Sequence, residues 1–159
     1  MKPIVLKWAP LALLVATAAC AGGAEPGNGS RSEAQVRQEL DQFLAVYFTA
    51  LEDGDPLAVA DSYHPEKASI GGRGNLETYG RAEMIERYQW LHESPPHDLW
   101  WIRVYHDVLG ADAALTTGVI GWLDAQNVAD TLLISYTGLM VRTDDGWRIR
   151  HEHESTGRP

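Results

Sequence analysis

The chain contains a single cysteine, Cys20, among 159 residues. One thiol builds neither an internal disulfide framework nor a cysteine-rich zinc module. Basic residues are also scarce: 13 Lys and Arg stand against 22 Asp and Glu, giving a formal net charge of −9 and a pI near 5.0. Gripping nucleic acid needs clustered Lys and Arg, so no nucleic-acid partner is expected. Long hydrophobic runs are missing apart from Trp8 to Ala19, broken only by Pro10 and Thr17, and this stretch is too short to span a bilayer comfortably. What is present is ordinary for a globular domain: 45% hydrophobic and 22% charged residues, a balance that argues against a mostly disordered chain. The length suits one domain and is tight for two.

Lys2 and Lys7 give the apolar stretch a positive start, and small residues end it, which is the pattern of a secretory signal peptide over residues 1–19. Cys20 follows directly. Ala18-Ala19-Cys20-Ala21-Gly22 resembles a bacterial lipobox, in which the cysteine is lipidated and becomes the new N-terminus; Thr17 stands where that pattern usually has an aliphatic residue. The alternative is cleavage at Ala16-Thr17-Ala18, leaving Cys20 as a free thiol. Residues 20–32, rich in Gly, Ala and Ser, read as a flexible tether. The expected product is an exported, membrane-anchored lipoprotein, with a secreted or periplasmic protein as the alternative. Loss of the leader removes Lys2 and Lys7 and no acid, so the mature domain is still more acidic. An anionic leaflet repels such a surface, and membrane contact is expected through the lipid anchor alone.

The remainder separates into helices and then strands. Ser32 with Gln35 forms a capping box, and Val36, Leu40, Phe43, Leu44, Tyr47, Phe48 and Leu51 describe one broad helical face. Gly54 stops this helix, Asp55-Pro56 starts a short second one, and His64-Pro65 ends it near Tyr63. A short strand is expected around Ala68 to Ile70, then a glycine loop at Gly71, Gly72 and Gly74. A third helix is expected from Arg81 to His92. The loop is a poor phosphate site, since it lacks a Lys and a helix start in register. Beyond Pro96 the segments 99–109, 113–123 and 130–142 are β-branched and aromatic. Asp144-Asp145-Gly146 turns the chain into a last strand from Trp147 to Ser155. Helices first and long antiparallel strands after make an α+β domain. A curved sheet wrapped around the long first helix would bury that helix's apolar face and leave a conical cavity at one end.

Several features resemble one family: the long first helix followed by Gly-Asp, Tyr63-His64-Pro65 before the first strand, Tyr79-Gly80 opening the third helix, and the ending Gly146-Trp147-Arg148-Ile149-Arg150-His151-Glu152-His153-Glu154-Ser155. Over about Ser32 to Ser155 they are similar to the SnoaL-like branch of the nuclear-transport-factor-2-like superfamily, and place such a domain at 33–156. The resemblance implies a cone-shaped curved antiparallel sheet around the N-terminal helix (an α+β, cystatin-like fold) with a pocket, and a homodimer formed through the open sheet face. Its members include ketosteroid isomerases, polyketide cyclases, dehydratases and epoxide hydrolases, and also binding or association domains without catalysis, so it speaks to fold more than to reaction.

Strict alternation along the last strand puts Trp147, Ile149, His151, His153 and Ser155 on one side, with Arg148, Arg150, Glu152 and Glu154 on the other. The first row starts apolar and ends in histidine, so it is expected to face the cone interior, with the charged row facing solvent or a sheet partner. His151 and His153 are then ligand-binding candidates and also the candidate catalytic acid and base. Structural roles, or an HxH metal pair, are the other readings; the pair would need a third ligand from His64, His106 or a distant carboxylate, and no metal is expected. His64 is a candidate at the pocket mouth, or simply a helix stop. Tyr47 and Tyr136 are the aromatic pocket candidates. His106 reads as a satisfied core or interface histidine, and His92 and His97 as exposed. This inward row carries no carboxylate, although enzymes of the superfamily mostly place an Asp or Glu there; Asp61 and Asp107 are the candidates elsewhere. Ser155 is too constrained in direction to be a clear nucleophile. The expectation is therefore a domain that binds a small, partly apolar organic ligand without a cofactor. An acid–base isomerase, dehydratase or hydrolase, and a non-catalytic dimerisation module, are the alternatives.

Overall fold

The computed structural model describes residues 31–125 and 131–157. The export segment, the lipidation candidate Cys20 and the tether up to Ser30 lie outside the described residues. No helix among the described residues is long and apolar enough to cross a membrane.

Helix α1 (Glu33–Glu52) begins at the capping box read from the sequence. The Ser32 hydroxyl accepts from the Gln35 amide at 3.3 Å, and the Ser32 amide donates back to Gln35 Oε1 at 2.8 Å. Its expected face is buried at Val36, Leu40, Leu44, Tyr47, Phe48 and Leu51. Gly54 turns the chain at φ +66, where a Cβ would also stand 2.9 Å from the Leu91 carbonyl oxygen. Asp55 then caps α2 (Pro56–Asp61), accepting from the Leu57 and Ala58 amides. Strands β1 (Ala68–Gly72) and β2 (Asn75–Tyr79) follow, then α3 (Arg81–Arg87), a single 3-10 turn at Gln89–His92, and the long strands β3 (Pro96–Gly110), β4 (Ala113–Asp124), β5 (Thr131–Thr143) and β6 (Gly146–Gly157).

The six strands form one curved sheet in the order β2-β1-β6-β5-β4-β3, packed around α1. All neighbouring pairs are antiparallel except β1 and β6, which run parallel. Strand β2 was not expected. Its residues are nearly all exposed, so no apolar alternation marks it. It exists because Arg73 and Gly74 both take positive φ, 52° and 79°, and close a two-residue hairpin between Gly72 and Asn75. The expected third helix is shorter than its apolar pattern, with its last turn tightened to 3-10 geometry.

One irregularity decides the site. Met140 of β5 pairs with Ile149, yet the adjacent Leu139 pairs with His151, so Arg150 is an extra residue bulged out of β6. A bulge of this kind reverses the alternation beyond it. Trp147 and Ile149 face the core as expected, but from there on Glu152 and Glu154 turn inward. This corrects the expected inward placement of His151 and His153. Both lie on the outer face of the sheet, His151 half-buried and His153 exposed, while Glu152 is only 1% exposed. The bulge sits where β6 changes neighbours: the Ile149 amide donates to the Ser62 carbonyl, the His64 amide donates to the Ile149 carbonyl, and pairing with β1 begins at His151.

His106 is a satisfied core histidine, with Nδ1 2.9 Å from the Thr116 hydroxyl and Nε2 3.1 Å from Asp41. His92 and His97 are exposed. Close packing is tight along β5 as well. At Gly138 a Cβ would stand 2.5 Å from the Tyr136 hydroxyl and 2.8 Å from the Met140 methyl. Gly138→Ala is therefore expected to lower the unfolding free energy by about 1–3 kcal/mol through overpacking, read as a fall in Cm at unchanged m in urea.

Candidate active site

Tyr63 follows α2 and is anchored by its parallel bridge to Ile149, so its side chain is fixed just beneath the bulge. It is 2% exposed. Its hydroxyl meets three others: Glu152 Oε1 at 2.7 Å, the Tyr88 hydroxyl at 2.6 Å and the Tyr47 hydroxyl at 2.9 Å. A phenol has one donor and two acceptor lone pairs, so three partners saturate it. Tyr47 comes from the buried face of α1, Tyr88 from the end of α3, and Glu152 from β6 beyond the bulge. Four separate segments thus deliver one polar cluster into an otherwise apolar core.

Glu152 is the acidic member of this cluster, and its carboxyl is pushed up to about 8, chiefly by burial and further by the nearby Glu154. The hydrogen bond from Tyr63, the Arg87 charge and the Tyr136 hydroxyl act the other way. The second oxygen, Oε2, has no hydrogen-bond partner among the described residues, and neither does the Tyr136 hydroxyl that faces this carboxyl. Burial also raises Glu154, offset by Arg87 and then Arg73. The two carboxyls interact and so titrate as a pair. Burial, followed by the Glu152 charge, raises Tyr47, Tyr63, Tyr88 and Tyr136 well above the phenol range, so all four are neutral donors.

In front of this cluster lies a cavity of about 620 Å³. Tyr47, Tyr88 and Glu154 line it together with Trp90, Trp122, Leu132 and Ile134. Arg73, Asn75, Glu77 and Arg87 also line it. Glu152 and Tyr63 sit behind the wall. The cavity lining therefore includes a carboxyl and two phenols, backed by a buried carboxyl that communicates through Tyr63. Such a set accepts a proton at one point and donates one at another.

Of the residues singled out from the sequence, Tyr47 lines the cavity. Tyr136 is buried behind the wall near Glu152, and stacks edge-on against Trp101. His64 is half-buried and outside the cavity lining; its Nδ1 has no hydrogen-bond partner among the described residues. His151 and His153 are on the outer face and do not join these groups. Asp61 pairs on the surface with Arg81 at 2.6 Å, and Asp107 is exposed. The residues missed were Glu152, Glu154, Tyr63 and Tyr88. Tyr63 stands within the Tyr63-His64-Pro65 motif, the one sequence signal that marks it. No group of His, Cys, Asp and Glu among the described residues is arranged to hold a metal ion.

A family model for the SnoaL-like domain matches residues 40–159. No curated protein sequence matches the chain. Solved structures do share its fold. A proposed dehydratase of the NTF2-like family from Streptomyces avermitilis superposes with a TM-score of 0.70 at 19% identity, over 80% of this chain and 100% of that one. A ketosteroid isomerase-like protein from Erwinia carotovora atroseptica gives 0.61 at 18% identity, over 77% and 96%. A domain of cystatin-like fold from Nostoc punctiforme gives 0.62 at 16% identity, over 81% of each chain. At these identities the likeness is one of fold.

Proposed function

Because the chain belongs to the SnoaL-like domain family, and because acid and base groups share the lining of its cavity, we propose that it performs acid–base chemistry on a small, partly apolar organic molecule. The reaction class is isomerisation or dehydration next to a carbonyl. The observation that carries this reading is the chain from buried Glu152 through Tyr63 to Tyr88, ending in a cavity lining that also holds Glu154. Glu154 takes the proton from the carbon next to the carbonyl. Tyr88 donates a hydrogen bond to the oxygen on which charge develops.

The protonation of Glu152 sets the direction of that chain. With Glu152 neutral, its O–H donates to Tyr63, Tyr63 donates to Tyr88, and the Tyr88 proton is left to face the cavity. With Glu152 ionised, Tyr63 donates to the carboxylate and Tyr88 turns its proton back to Tyr63. The three distances at Tyr63 accommodate either order. The cavity's best donor is thus available only below the pKa of Glu152, and the rate is expected to fall as pH rises through about 8.

The substrate need not be known to test this. Hydrogen–deuterium exchange at the α carbons of cyclic ketones and enones in D2O, followed by proton NMR, reads the elementary step directly. The protein is expected to accelerate exchange for at least one member of such a panel, and Glu154→Gln to reduce that acceleration by about 100-fold or more. Exchange that is accelerated equally by the Gln variant would overturn the role of Glu154.

Ligand binding, export and a dimer belong to the same proposal. A cavity of about 620 Å³ has the size of a small-molecule site and favours a ligand over a purely associative module. Exposed Ile102, Tyr105 and Leu109 on the outer side of β3 support a homodimer through the open sheet face. The leader pattern and Cys20 support an exported protein held at a membrane by lipid.

A further inference from the structure

The acid–base reading leaves two cavity-lining cations unused. Arg73 and Arg87 both line the cavity, and both draw the Glu154 carboxyl toward its ionised form. They belong to a chain whose net charge is −9. Most other arginines on the helices and strands are committed. Arg37 pairs with Glu33, Arg81 with Asp61 and Arg142 with Glu39, while Arg148 and Arg150 donate to backbone carbonyls. Arg87 donates to the Tyr79 hydroxyl at 3.0 Å and stands 3.9 Å from Glu77, a loose pairing. Arg73 has neither a hydrogen bond nor an ion pair among the described residues.

The backbone at Arg73 adds a second, independent observation. It occupies the first central position of the β1–β2 hairpin with φ 52°, a conformation that favours Gly, Asn or Asp. It is the only described non-glycine residue with positive φ. A long cationic side chain placed there works against the local preference of the turn, and such outliers gather at functional positions. Here the hairpin brings that side chain to the cavity that Arg87 of α3 also lines.

We propose that Arg73 and Arg87 bind the anionic end of the substrate, so that the molecule taken by this cavity is a small organic acid, a carboxylate carried on a flat apolar body. The body lies between the Trp90 and Trp122 side of the cavity and Ile134, and the carboxylate meets the two guanidinium groups. The arginines also offset Glu77 and Glu154, which would otherwise repel an anion. This rests on the cavity being a ligand site, as proposed above, and adds the charge of its ligand.

The test compares two probes of one shape, 2-naphthoate and 2-naphthamide, at neutral pH on the intact chain. Binding is measured by calorimetry and by quenching of the cavity tryptophans. Naphthoate is expected to bind about tenfold or more tightly than naphthamide, the scale of a charge-assisted hydrogen bond. Arg73→Asn places a turn-compatible neutral residue in the hairpin, so the fold should survive, and it is expected to remove most of that preference. Arg73→Lys is expected to retain part of it. Equal binding of the two probes, or a preference untouched by Arg73→Asn, overturns the proposal and leaves the cavity as a site for neutral ligands. Binding of neither probe overturns this proposal together with the ligand-site reading beneath it.

Discussion

Glu152→Gln is expected to make the protein markedly more stable than the wild type above pH 8 and to flatten its dependence on pH. The wild-type carboxyl is raised from an ordinary 4.5 to about 8 in the folded state. Between those values the native state holds a proton that the unfolded state has released, so stability falls as pH rises. The contribution of the neutral carboxyl is complete below the unfolded pKa and is lost as pH passes through the folded one. Three to four pH units correspond to on the order of 4 kcal/mol, with the coupling to Glu154 spreading the loss over a wider range. For a domain of this size that is a fall in Tm of roughly 10 °C or more between pH 5 and pH 9. Glutamine has the same shape and cannot ionise, and its amide can donate permanently to Tyr63. Thermal unfolding at a series of pH values decides the matter: parallel curves for the two proteins would mean that Glu152 does not hold the proton. The same variant tests the direction of the hydrogen-bond chain, because its exchange rate should lose the alkaline fall while keeping the neutral plateau.

Tyr63→Phe is expected to destabilise the fold by about 3 kcal/mol or more, far beyond the usual loss of one hydroxyl. Its oxygen is the common partner of Glu152, Tyr88 and Tyr47, at 2.7, 2.6 and 2.9 Å. Removing it deprives the fully buried Glu152 carboxyl of its Tyr63 hydrogen bond and takes a partner from Tyr47 and Tyr88 in the cavity lining; an unpaired buried group costs about 1–3 kcal/mol, more for an acidic one. Loss of the Tyr63 hydrogen bond also removes an influence that lowers the Glu152 pKa, so the pH dependence should move further toward alkaline values. Tyr136→Phe is the matched control. The Tyr136 hydroxyl faces the Glu152 carboxyl alone and makes no hydrogen bond of regular geometry among the described residues, so its removal should cost far less than that of Tyr63. Urea unfolding of the two variants side by side checks this, and equal losses would refute the hub role of Tyr63.

The first prediction concerns a residue that strict alternation turns to the wrong side, and the second concerns its hydrogen-bond partner. The expectation of an inward His151 and His153, with no carboxylate in the cavity, was sound for a regular strand. It failed at Arg150, where one inserted residue reversed every side chain beyond it. Nothing in Arg148-Ile149-Arg150-His151 marks that bulge: it has no glycine and no break in composition. Its position follows from where β6 leaves the Ser62–His64 segment and takes up β1, a contact between residues more than eighty positions apart. The β1–β2 hairpin was hidden for a related reason. An exposed edge strand carries no apolar period, and an arginine stood where the turn usually takes asparagine or glycine.

What the sequence determined alone was local or periodic. The capping box, the apolar face of α1, the Gly54 stop and the β-rich second half each depend on neighbours within a turn or a strand, and together they specify the α+β cone. The ending from Gly146 to Ser155 carried enough pattern to point to the SnoaL-like family. The tertiary structure alone decided which charged side chains entered the core. Tyr47, Tyr63, Tyr88 and Glu152 come from four segments with no common period, and only sheet closure around α1 brings their oxygens within hydrogen-bonding distance. Burial then gives Glu152 its raised pKa, a property that belongs to the cluster's surroundings and to no stretch of sequence.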